Sequence, residues 1–424
     1  MEKLYFEFLQ VAVGNRKSLS VAINDSDWLR LFEFCKRQAL IGIGFSAVEK
    51  LHDVGVLCPA ELRMQWMALA LQIEKRNALL NEQCKMLTEQ YGHDGLATCI
   101  LKGQGNLLNY PETLNKRRQS GDIDIWAAPL PKRGEAPLPP GGGCCKLSNA
   151  DGGVAIAVQT GRNEVEYVEY HGRKAVIEYV KMLHRLAGNN DIPVLSYHHL
   201  EAPDIDGTPI EVHFRPAHLY SPFRNRRLQK WFEDHEDECM KNKTHLGFAM
   251  PTSSVNVIYQ LTHMYKHHIE GGLGLRHLMD YYYALRVWHN DVMECKDLQT
   301  QGMWSEGLGT SVMSLAEVVS VLRSFGMKKF AAAMMYVLHE VFDMPTHYSI
   351  CEPNEKEGRK LLAEIMNSGN FGHYDSKKPN MFTQKPKYHI WKFKRTFRLA
   401  TSYPEEAMWE PVFRGWRKAY RVFG

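Results

Sequence analysis

This sequence of 424 residues contains no run of about 18 consecutive apolar residues, the length that a transmembrane helix requires. Its first eight residues also lack the uninterrupted apolar stretch of a secretory signal, because Glu2, Lys3 and Glu7 lie among the apolar side chains. We therefore expect a cytoplasmic protein with no transmembrane segment.

Two patterns of ligand-binding residues, a cysteine zinc site and a Walker phosphate loop, are also missing. The nine cysteines are odd in number and do not show zinc-site spacing, which favours free thiols in a reducing compartment. The glycines at 141–143 are followed by Cys144-Cys145-Lys146, without the Gly-Lys-Ser/Thr ending that a Walker loop needs.

Excess charge of either sign is small. The formal net charge of +4 does not by itself indicate a nucleic-acid partner, so we regard nucleic acid as disfavoured. Apolar residues form 44% of the chain and charged residues 24%, as in an ordinary globular protein. The length allows two or three domains with a large buried core.

Hydrophobic periodicity divides the chain into three regions. Residues 1–95 are predicted to be helical, and the clearest helix runs from Pro59 toward Tyr91 with apolar residues every three or four positions. Residues 96–220 are predicted to form a core of mixed helices and strands, with a Pro/Gly-rich exposed loop near 131–150. Residues 221–424 are predicted to be a C-terminal helical domain.

The central region has five predicted elements. They are a strand at Ala97–Leu101, a helical segment at 106–118 interrupted near Pro111, a strand carrying Asp122, a helix at 173–187, and a hairpin of Val194–Leu200 and Pro209–Phe214. Pro203–Gly207 is predicted to be the turn of this hairpin, because Pro, Asp and Gly favour turns.

Asp122 and Asp124 form the most informative pattern of the sequence. Residues i and i+2 of a strand point to one face, so the two carboxylates would project together while Ile123 and Ile125 enter the core. Their mutual repulsion calls for a positive partner, and a hard divalent cation such as Mg²⁺ prefers oxygen ligands. Gly121, just before the pair, allows backbone or substrate to approach closely.

A second Asp-Ile-Asp, at 204–206, provides an internal control. Pro203 and Gly207 flank it, so we expect a turn rather than a catalytic site. Glu211 is the better candidate for a third ligand, because it lies between Ile210 and Val212 in an apolar strand. A carboxylate there needs an ion pair, a hydrogen bond or a metal.

These residues together resemble a known superfamily, the DNA polymerase β-like nucleotidyltransferases. The pattern of this superfamily begins with a glycine after a strand, followed by a helix. It continues with Gly-Asp-x-Asp on a second strand and ends with an acid on a later strand. More narrowly, the chain resembles the uncharacterised nucleotidyltransferase family common in Bacteroidetes. The segments that carry this resemblance are Leu101–Gly103, Tyr110-Pro111, Arg118–Asp124, Glu211–His213, His263, His267 and Leu275–Asp280.

The resemblance implies an α+β fold, with a polymerase β-like core of mixed or antiparallel sheet flanked by helices and helical regions at both ends. It also implies an enzyme that transfers a nucleoside monophosphate from a nucleoside triphosphate such as ATP to a hydroxyl of a small molecule or protein, releasing pyrophosphate. Two Mg²⁺ ions would be bound, one by Asp122, Asp124 and Glu211 and one by the aspartates alone.

The resemblance further implies a nucleotide-binding or substrate-binding role for eight residues. They are Lys102, Gly103, Arg118, Ser120, Gly121, His213, His263 and His267. Among these, Lys102 and Arg118 are candidates to neutralise phosphate oxygens, and Gly103 would let the triphosphate approach the backbone.

Structural alternatives remain open for several of these residues. Asp122 and Asp124 are also compatible with a solvated strand face, Glu211 with an ion pair to Arg215, and Arg118 with a salt bridge near the acids. His263 and His267, four residues apart on a helix, suit either a core or a substrate pocket. A zinc-protease motif is disfavoured because its glutamate is missing.

The C-terminus carries an aromatic stripe with basic residues between its members. The aromatic residues are Trp409, Phe413, Trp416, Tyr420 and Phe423. The stripe is expected to dock on the body of the protein, although a basic, aromatic helix also suits an anionic membrane surface. Two alternatives to the enzyme therefore stay open, a non-catalytic nucleotide-binding module and a membrane-surface adaptor.

Overall fold

The computed structural model describes residues 2–130, 145–147, 153–159, 165–188, 193, 195–300, 312–375 and 377–423. The first region consists of the helices α1 (Glu2–Val13), α2 (Asp25–Arg37), α3 (Ile41–Asp53) and α4 (Ala60–His93). The predicted amphipathic helix is therefore confirmed as α4. Trp66 and Leu80 of its apolar series are fully buried, which explains the spacing of three and four.

In the described part of the chain, seven strands form two sheets. They are β1 (Leu96–Ile100), β2 (Ile123–Pro129), β3 (Cys145–Leu147), β4 (Gly153–Gln159), β5 (Val165–His171), β6 (His199–Ile205) and β7 (Thr208–His213). The larger sheet has the order β1-β2-β7-β6, with β2 and β7 parallel and the outer pairs antiparallel. The smaller, antiparallel sheet has the order β3-β4-β5, and none of the sequence patterns predicts it.

Three helices connect the strands of the larger sheet. The short helices α5 (Gln104–Leu107) and α6 (Glu112–Asn115) lie between β1 and β2, which confirms the helical segment interrupted near Pro111. The helix α7 (Gly172–Leu186) confirms the prediction for residues 173–187. It packs against both sheets, with Val176 and Tyr179 buried.

The hairpin before the end of the sheet is confirmed, but its first strand and its turn were placed wrongly. Strand β6 begins at His199 instead of Val194 and continues through Pro203 to Ile205. The turn is only Asp206 and Gly207, both of which have positive φ angles of 50° and 71°. Asp and Gly tolerate this conformation, which suits the twist of a tight hairpin better than the wider turn predicted.

The C-terminal region is helical, as predicted. Its helices are α8 (Pro222–Asp234), α9 (Glu236–Lys241), α10 (Ser253–Glu270), α11 (Leu275–Thr300), α12 (Leu315–Ser324), α13 (Lys328–Phe342), α14 (Glu355–Ser368), α15 (Lys385–Ala400) and α16 (Pro404–Phe423). None of the described helices has both the length and the apolarity to cross a bilayer.

Two hydrophobic cores support this architecture. One joins the first helices to the C-terminal helices, and Gln10 and Asn15 near the end of α1 donate hydrogen bonds to the carbonyls of Val341 and Phe342 of α13. The other lies under the sheets, between α4 and α7. The fold is thus α+β, a small mixed sheet flanked by helices, as predicted. The domain boundaries at 95 and 220 stay a prediction.

The C-terminal aromatic stripe docks in part on the body. The Phe413 ring stacks on His218, with centroids 5.1 Å apart, and contacts Tyr197 edge-on. The side chains of Tyr420 and Phe423 lie outside the described residues. Most of the predicted loop near 131–150 also lies outside the described residues. The part that is described, Cys145–Leu147, forms strand β3 and not a loop.

Candidate active site

The strand register brings Asp124 and Glu211 together. Asp124 is the second residue of β2, and its Cα pairs directly with that of Glu211 on the parallel strand β7. Side chains that pair directly across two strands point to the same side of a sheet, so the carboxylates become neighbours. Asp122 immediately precedes β2 and is two residues from Asp124, on the same side.

Lys102 supplies positive charge next to the two aspartates. Its Nζ lies 3.3 Å from Oδ2 of Asp122 and 3.0 Å from Oδ2 of Asp124. Strand β1 leads the chain to this point, where the N–H of Leu101 donates to the carbonyl of Asp124 at 2.9 Å. Burial lowers the pKa of Lys102, but the charges of Asp124, Asp122 and Glu211 outweigh it and raise the pKa, so the ammonium stays charged.

His213 connects the carboxylates of the two strands. Its Nε2 lies 3.0 Å from Oδ1 of the fully buried Asp124 and 3.5 Å from Oε2 of Glu211. Burial lowers the pKa of His213, but the hydrogen bonds to Asp124 and Glu211 more than compensate and the pKa is raised. The imidazole therefore holds the Asp124 carboxylate in place beside Glu211.

Glu211 is surrounded by basic groups. The Nδ1 of His199 lies 3.6 Å from its Oε2, on the side opposite the aspartates in the strand order. Burial raises the pKa of Glu211, but the hydrogen bond from His213 and the charges of His199 and Lys102 lower it well below its ordinary value. Glu211 is therefore ionised at neutral pH, which a metal ligand requires.

The donor atoms at this site fit a divalent cation. One ligand atom from each of Asp124, Glu211 and His213 lies within 4.8 Å of the others. Oδ2 of Asp124 is buried, and Nζ of Lys102 lies 3.0 Å from it. A carboxylate oxygen has more than one acceptor position, so Oδ2 can also bind a metal ion. Two or three carboxylates suit Mg²⁺, whereas participation of His213 would favour a softer ion such as Mn²⁺.

A cavity of about 270 Å³ opens beside these groups. Besides the acids it is lined by basic and aromatic side chains, namely Lys102, His198, His199, His213, Tyr259, His263, Lys266 and His267. A cavity that combines carboxylates with the lysines Lys102 and Lys266 suits a ligand that is itself anionic and is bound together with a metal ion.

Arg118 is bonded to Ser120 and to Asp280 of α11 rather than directed at the carboxylate pair. The Arg118 guanidinium is buried and makes two hydrogen bonds of 2.7 Å to the carboxylate of Asp280. It also donates to Oγ of Ser120 at 2.8 Å, and the Tyr110 hydroxyl donates to Asp280 at 2.6 Å. This network fixes the segment that leads into β2. Arg118 therefore helps to position Asp122 and Asp124 without contacting their carboxylates.

The structure requires glycine at position 103 but not at position 121. Gly103 has a φ of 61°, a conformation that residues with a side chain rarely adopt, and it turns the chain from Lys102 into α5. A Cβ on Gly121 would meet no atom within 4 Å. No packing contact therefore demands glycine at 121, and the space in front of it is open.

His263 and His267 lie on α10 and face the cavity. Their Nε2 atoms are 2.8 Å apart, and burial lowers the pKa of each well below its ordinary value, so both rings are neutral at pH 7. Two neutral imidazoles at this distance share one proton in a hydrogen bond, with further acceptor or donor capacity toward a ligand.

Two residues of the cavity, Lys266 and His198, are not among the site residues predicted from the sequence. Lys266 Nζ lies 3.1 Å from Nε2 of His198, whose pKa burial lowers. Lys266 falls between His263 and His267 on α10, and that position was the available signal. His198 immediately precedes β6. The predicted strand begins five residues too early, at Val194, and therefore does not indicate that His198 lies beside His199 and Glu211.

The fold and the site together define a class of protein. A small mixed sheet flanked by helices, with carboxylates from neighbouring strands at a cavity that also contains lysines, is typical of nucleotidyltransferases. A family model described as an uncharacterised nucleotidyltransferase matches residues 24–131 and 167–302, more than half of the chain. The chain belongs to this family, as the sequence motifs predicted. No curated protein and no solved structure matches it significantly.

Proposed function

We propose that this protein is a Mg²⁺-dependent enzyme that transfers a nucleoside monophosphate from a nucleoside triphosphate to a hydroxyl of a small molecule or protein. The observation that carries the proposal is the pairing of Asp124 with Glu211 on adjacent parallel strands, with Asp122 and Lys102 beside them. Family membership supports nucleotidyl transfer in general. The acceptor, the metal and the release of pyrophosphate are part of the proposal.

Asp122, Asp124 and Glu211 are the residues that would hold the metal. Bound there, a divalent cation would neutralise phosphate charge and lower the pKa of the attacking hydroxyl. The acceptor capacity that remains on the buried Oδ2 of Asp124 and the ionised Glu211 support this assignment.

The remaining residues of the cavity would bind and orient the nucleotide. Lys102 and Lys266 carry the positive charge that suits the triphosphate, and the open space at Gly121 allows phosphate to approach the backbone. His213 holds the carboxylate of Asp124 in place. In the reaction the acceptor oxygen bonds to the α-phosphorus, the bond from that phosphorus to the bridging oxygen breaks, pyrophosphate leaves, and the hydroxyl proton passes to solvent.

Pyrophosphate release tests this proposal. The protein is incubated with each of the four labelled nucleoside triphosphates, Mg²⁺ or Mn²⁺, and a metabolite extract as the source of acceptor. We expect pyrophosphate and a labelled product with at least one nucleotide. Glu211→Gln should abolish both while it retains weakened nucleotide binding. If the protein binds a nucleotide but never releases pyrophosphate, the proposal is wrong and a regulatory nucleotide-binding module takes its place.

A further inference from the structure

Helix α15 presents an apolar face to solvent and a charged face to the protein, the reverse of an ordinary surface helix. Ile390, Phe393 and Phe397 are 58%, 63% and 56% exposed, whereas Lys392 and Arg395 are buried. Lone exposed apolar residues are common, but a helix with both features at once calls for an explanation.

The buried cations of α15 are both bonded to the body of the protein. Lys392 donates to the carbonyl of Glu270 and lies 3.4 Å from the carboxylate of Glu410. Arg395 forms an ion pair with Glu364 at 2.5 Å. These contacts fix the orientation of α15 about its own axis, so the exposure of the opposite face follows from the fold.

The exposed apolar side chains form one continuous stripe. At 3.6 residues per turn, Ile390, Phe393 and Phe397 fall within an arc of roughly 60°. The rings of Phe393 and Phe397 contact each other with centroids 4.6 Å apart. Phe382, three residues before the first residue of α15, is 90% exposed and is a further large apolar side chain near the N-terminal end of the helix.

Positive charge accompanies the stripe. Helix α15 has six lysine and arginine residues and no acid. Lys387, Lys394 and Arg398 recur along one edge of the stripe by the same periodicity, and all three are exposed. Arg398 forms an ion pair with Glu364, whereas Lys387 and Lys394 have no ion-pair partner among the described residues.

We propose that α15 is a membrane-contact surface, which lays Ile390, Phe393 and Phe397 into the interface of a bilayer that contains anionic lipid. Apolar and aromatic residues on one face with lysine and arginine along its edge are the features of an interfacial helix. The lysines would attract the anionic headgroups while the rings enter the acyl boundary. Such a surface would attach the protein to a membrane although none of the described helices can cross one.

Two other occupants fit the surface less well. A second copy of this chain, docked face to face about a two-fold axis, would bring the unpaired lysines of both copies together. Single-stranded nucleic acid is bound by basic grooves with stacking aromatic rings, and the aliphatic Ile390 at one end of the stripe contributes nothing to stacking.

Vesicle sedimentation tests the proposal with the full-length protein. Vesicles of phosphatidylcholine alone are compared with vesicles that also contain phosphatidylglycerol, at low and high salt. We expect the protein to sediment with the anionic vesicles and to be released as salt screens the lysines. Lys387→Gln/Lys394→Gln should weaken binding roughly thirty-fold, at about 1 kcal/mol for each lysine. Phe393→Ser/Phe397→Ser should weaken it about tenfold or more.

Met67→Ser/Leu71→Ser is the matched control. These two residues are also exposed, are also four residues apart and lie on another helix, α4. This variant should bind vesicles like the wild type, and near-native circular dichroism should show that all three variants fold. The proposal is wrong if neither vesicle binds the protein at low salt, or if the phenylalanine variant binds as the wild type does. It is also wrong if the phenylalanines instead govern dimer formation or RNA binding while vesicles leave the protein in the supernatant.

Discussion

The chain contains the tripeptide Asp-Ile-Asp twice, and its two copies have opposite environments. At 122–124 the tripeptide enters the parallel strand β2, with Asp124 fully buried between Lys102 and His213. At 204–206 it ends strand β6 at a hairpin turn, where Asp204 and Asp206 are exposed. The same three residues therefore form part of a candidate metal site in one place and a turn in the other. The neighbouring strands, and not the tripeptide, decide which.

The largest expected effect separates these two copies by activity. Asp124→Asn should lower nucleotidyl transfer by about a thousandfold, because it removes a charge that acts on the developing transition state. Asp206→Asn is the matched control, since asparagine tolerates the positive φ at this turn, and it should retain activity within about twofold. Initial rates of pyrophosphate release measure both. Equal losses in the two variants would contradict the distinction.

Much of this contrast could be predicted from the sequence. Ile123 and Ile125 around Asp124 indicated a buried strand, and Pro203 and Gly207 indicated a turn near the second copy. The pairing of β2 with β7 could not be derived, because the register between strands 87 residues apart depends on tertiary packing. In the structure this pairing places Glu211 next to Asp124, in agreement with the shared metal site that the family resemblance implies.

The parts that could not be predicted share a physical cause. Strands β4 and β5 stayed unseen because isolated short apolar runs fit more than one structure. The pairing of Arg118 with Asp280 joins residues far apart in sequence, and a lone arginine beside two acids gave no indication of it. The inverted burial of α15 also depends on partners such as Glu364 and Glu410, which lie on other helices.

A second prediction extends the contrast between buried and exposed carboxylates to ion pairs. Arg118→Ala should reduce the free energy of unfolding by about 3–5 kcal/mol, because it removes the guanidinium from the buried Asp280 and leaves this carboxylate the Tyr110 hydroxyl as its hydrogen-bond donor. Lys230→Ala, which breaks the exposed pair with Asp234, should leave the midpoint of urea unfolding close to that of the wild type. Urea unfolding measures both variants. A small change for Arg118→Ala would mean that the Tyr110 hydroxyl is enough to stabilise the buried Asp280.

A third prediction concerns acid. Burial, then the charge of His213, lowers the pKa of His199 to about 4, whereas an unfolded histidine has a pKa of about 6.5. As the pH falls below about 6.5, the unfolded chain binds a proton that the folded protein does not, so stability falls. Between pH 6.5 and 5 this amounts to about 1.5 kcal/mol.

Urea unfolding at several pH values checks this pH dependence. His199→Gln should reduce the slope of unfolding free energy against pH in this range, and Asp206→Asn should leave the slope as in the wild type. An unchanged slope in His199→Gln would mean that His199 is not held neutral by its surroundings.

The smallest expected effect concerns Gly121, at the entrance to the first tripeptide. Gly121→Ala should change the free energy of unfolding by less than about 0.5 kcal/mol, because its Cβ meets no neighbour. Gly105→Ala is the contrasting variant, since its Cβ would lie 2.2 Å from the carbonyl oxygen of Ile100 and must destabilise the protein. If Gly121 admits phosphate, Gly121→Ala should raise KM for the nucleotide while the melting temperature stays constant. An unchanged KM would remove Gly121 from the site.

The most direct test of the account is the shift in melting temperature caused by a nucleoside triphosphate with Mg²⁺. At a ligand concentration of about 100 times Kd, binding should raise the melting temperature of the wild type by about 3 °C. Asp206→Asn should show the same shift, measured against its own unliganded protein, and Asp124→Asn should show almost none. An equal shift in Asp124→Asn would place the nucleotide elsewhere and contradict the site proposed here.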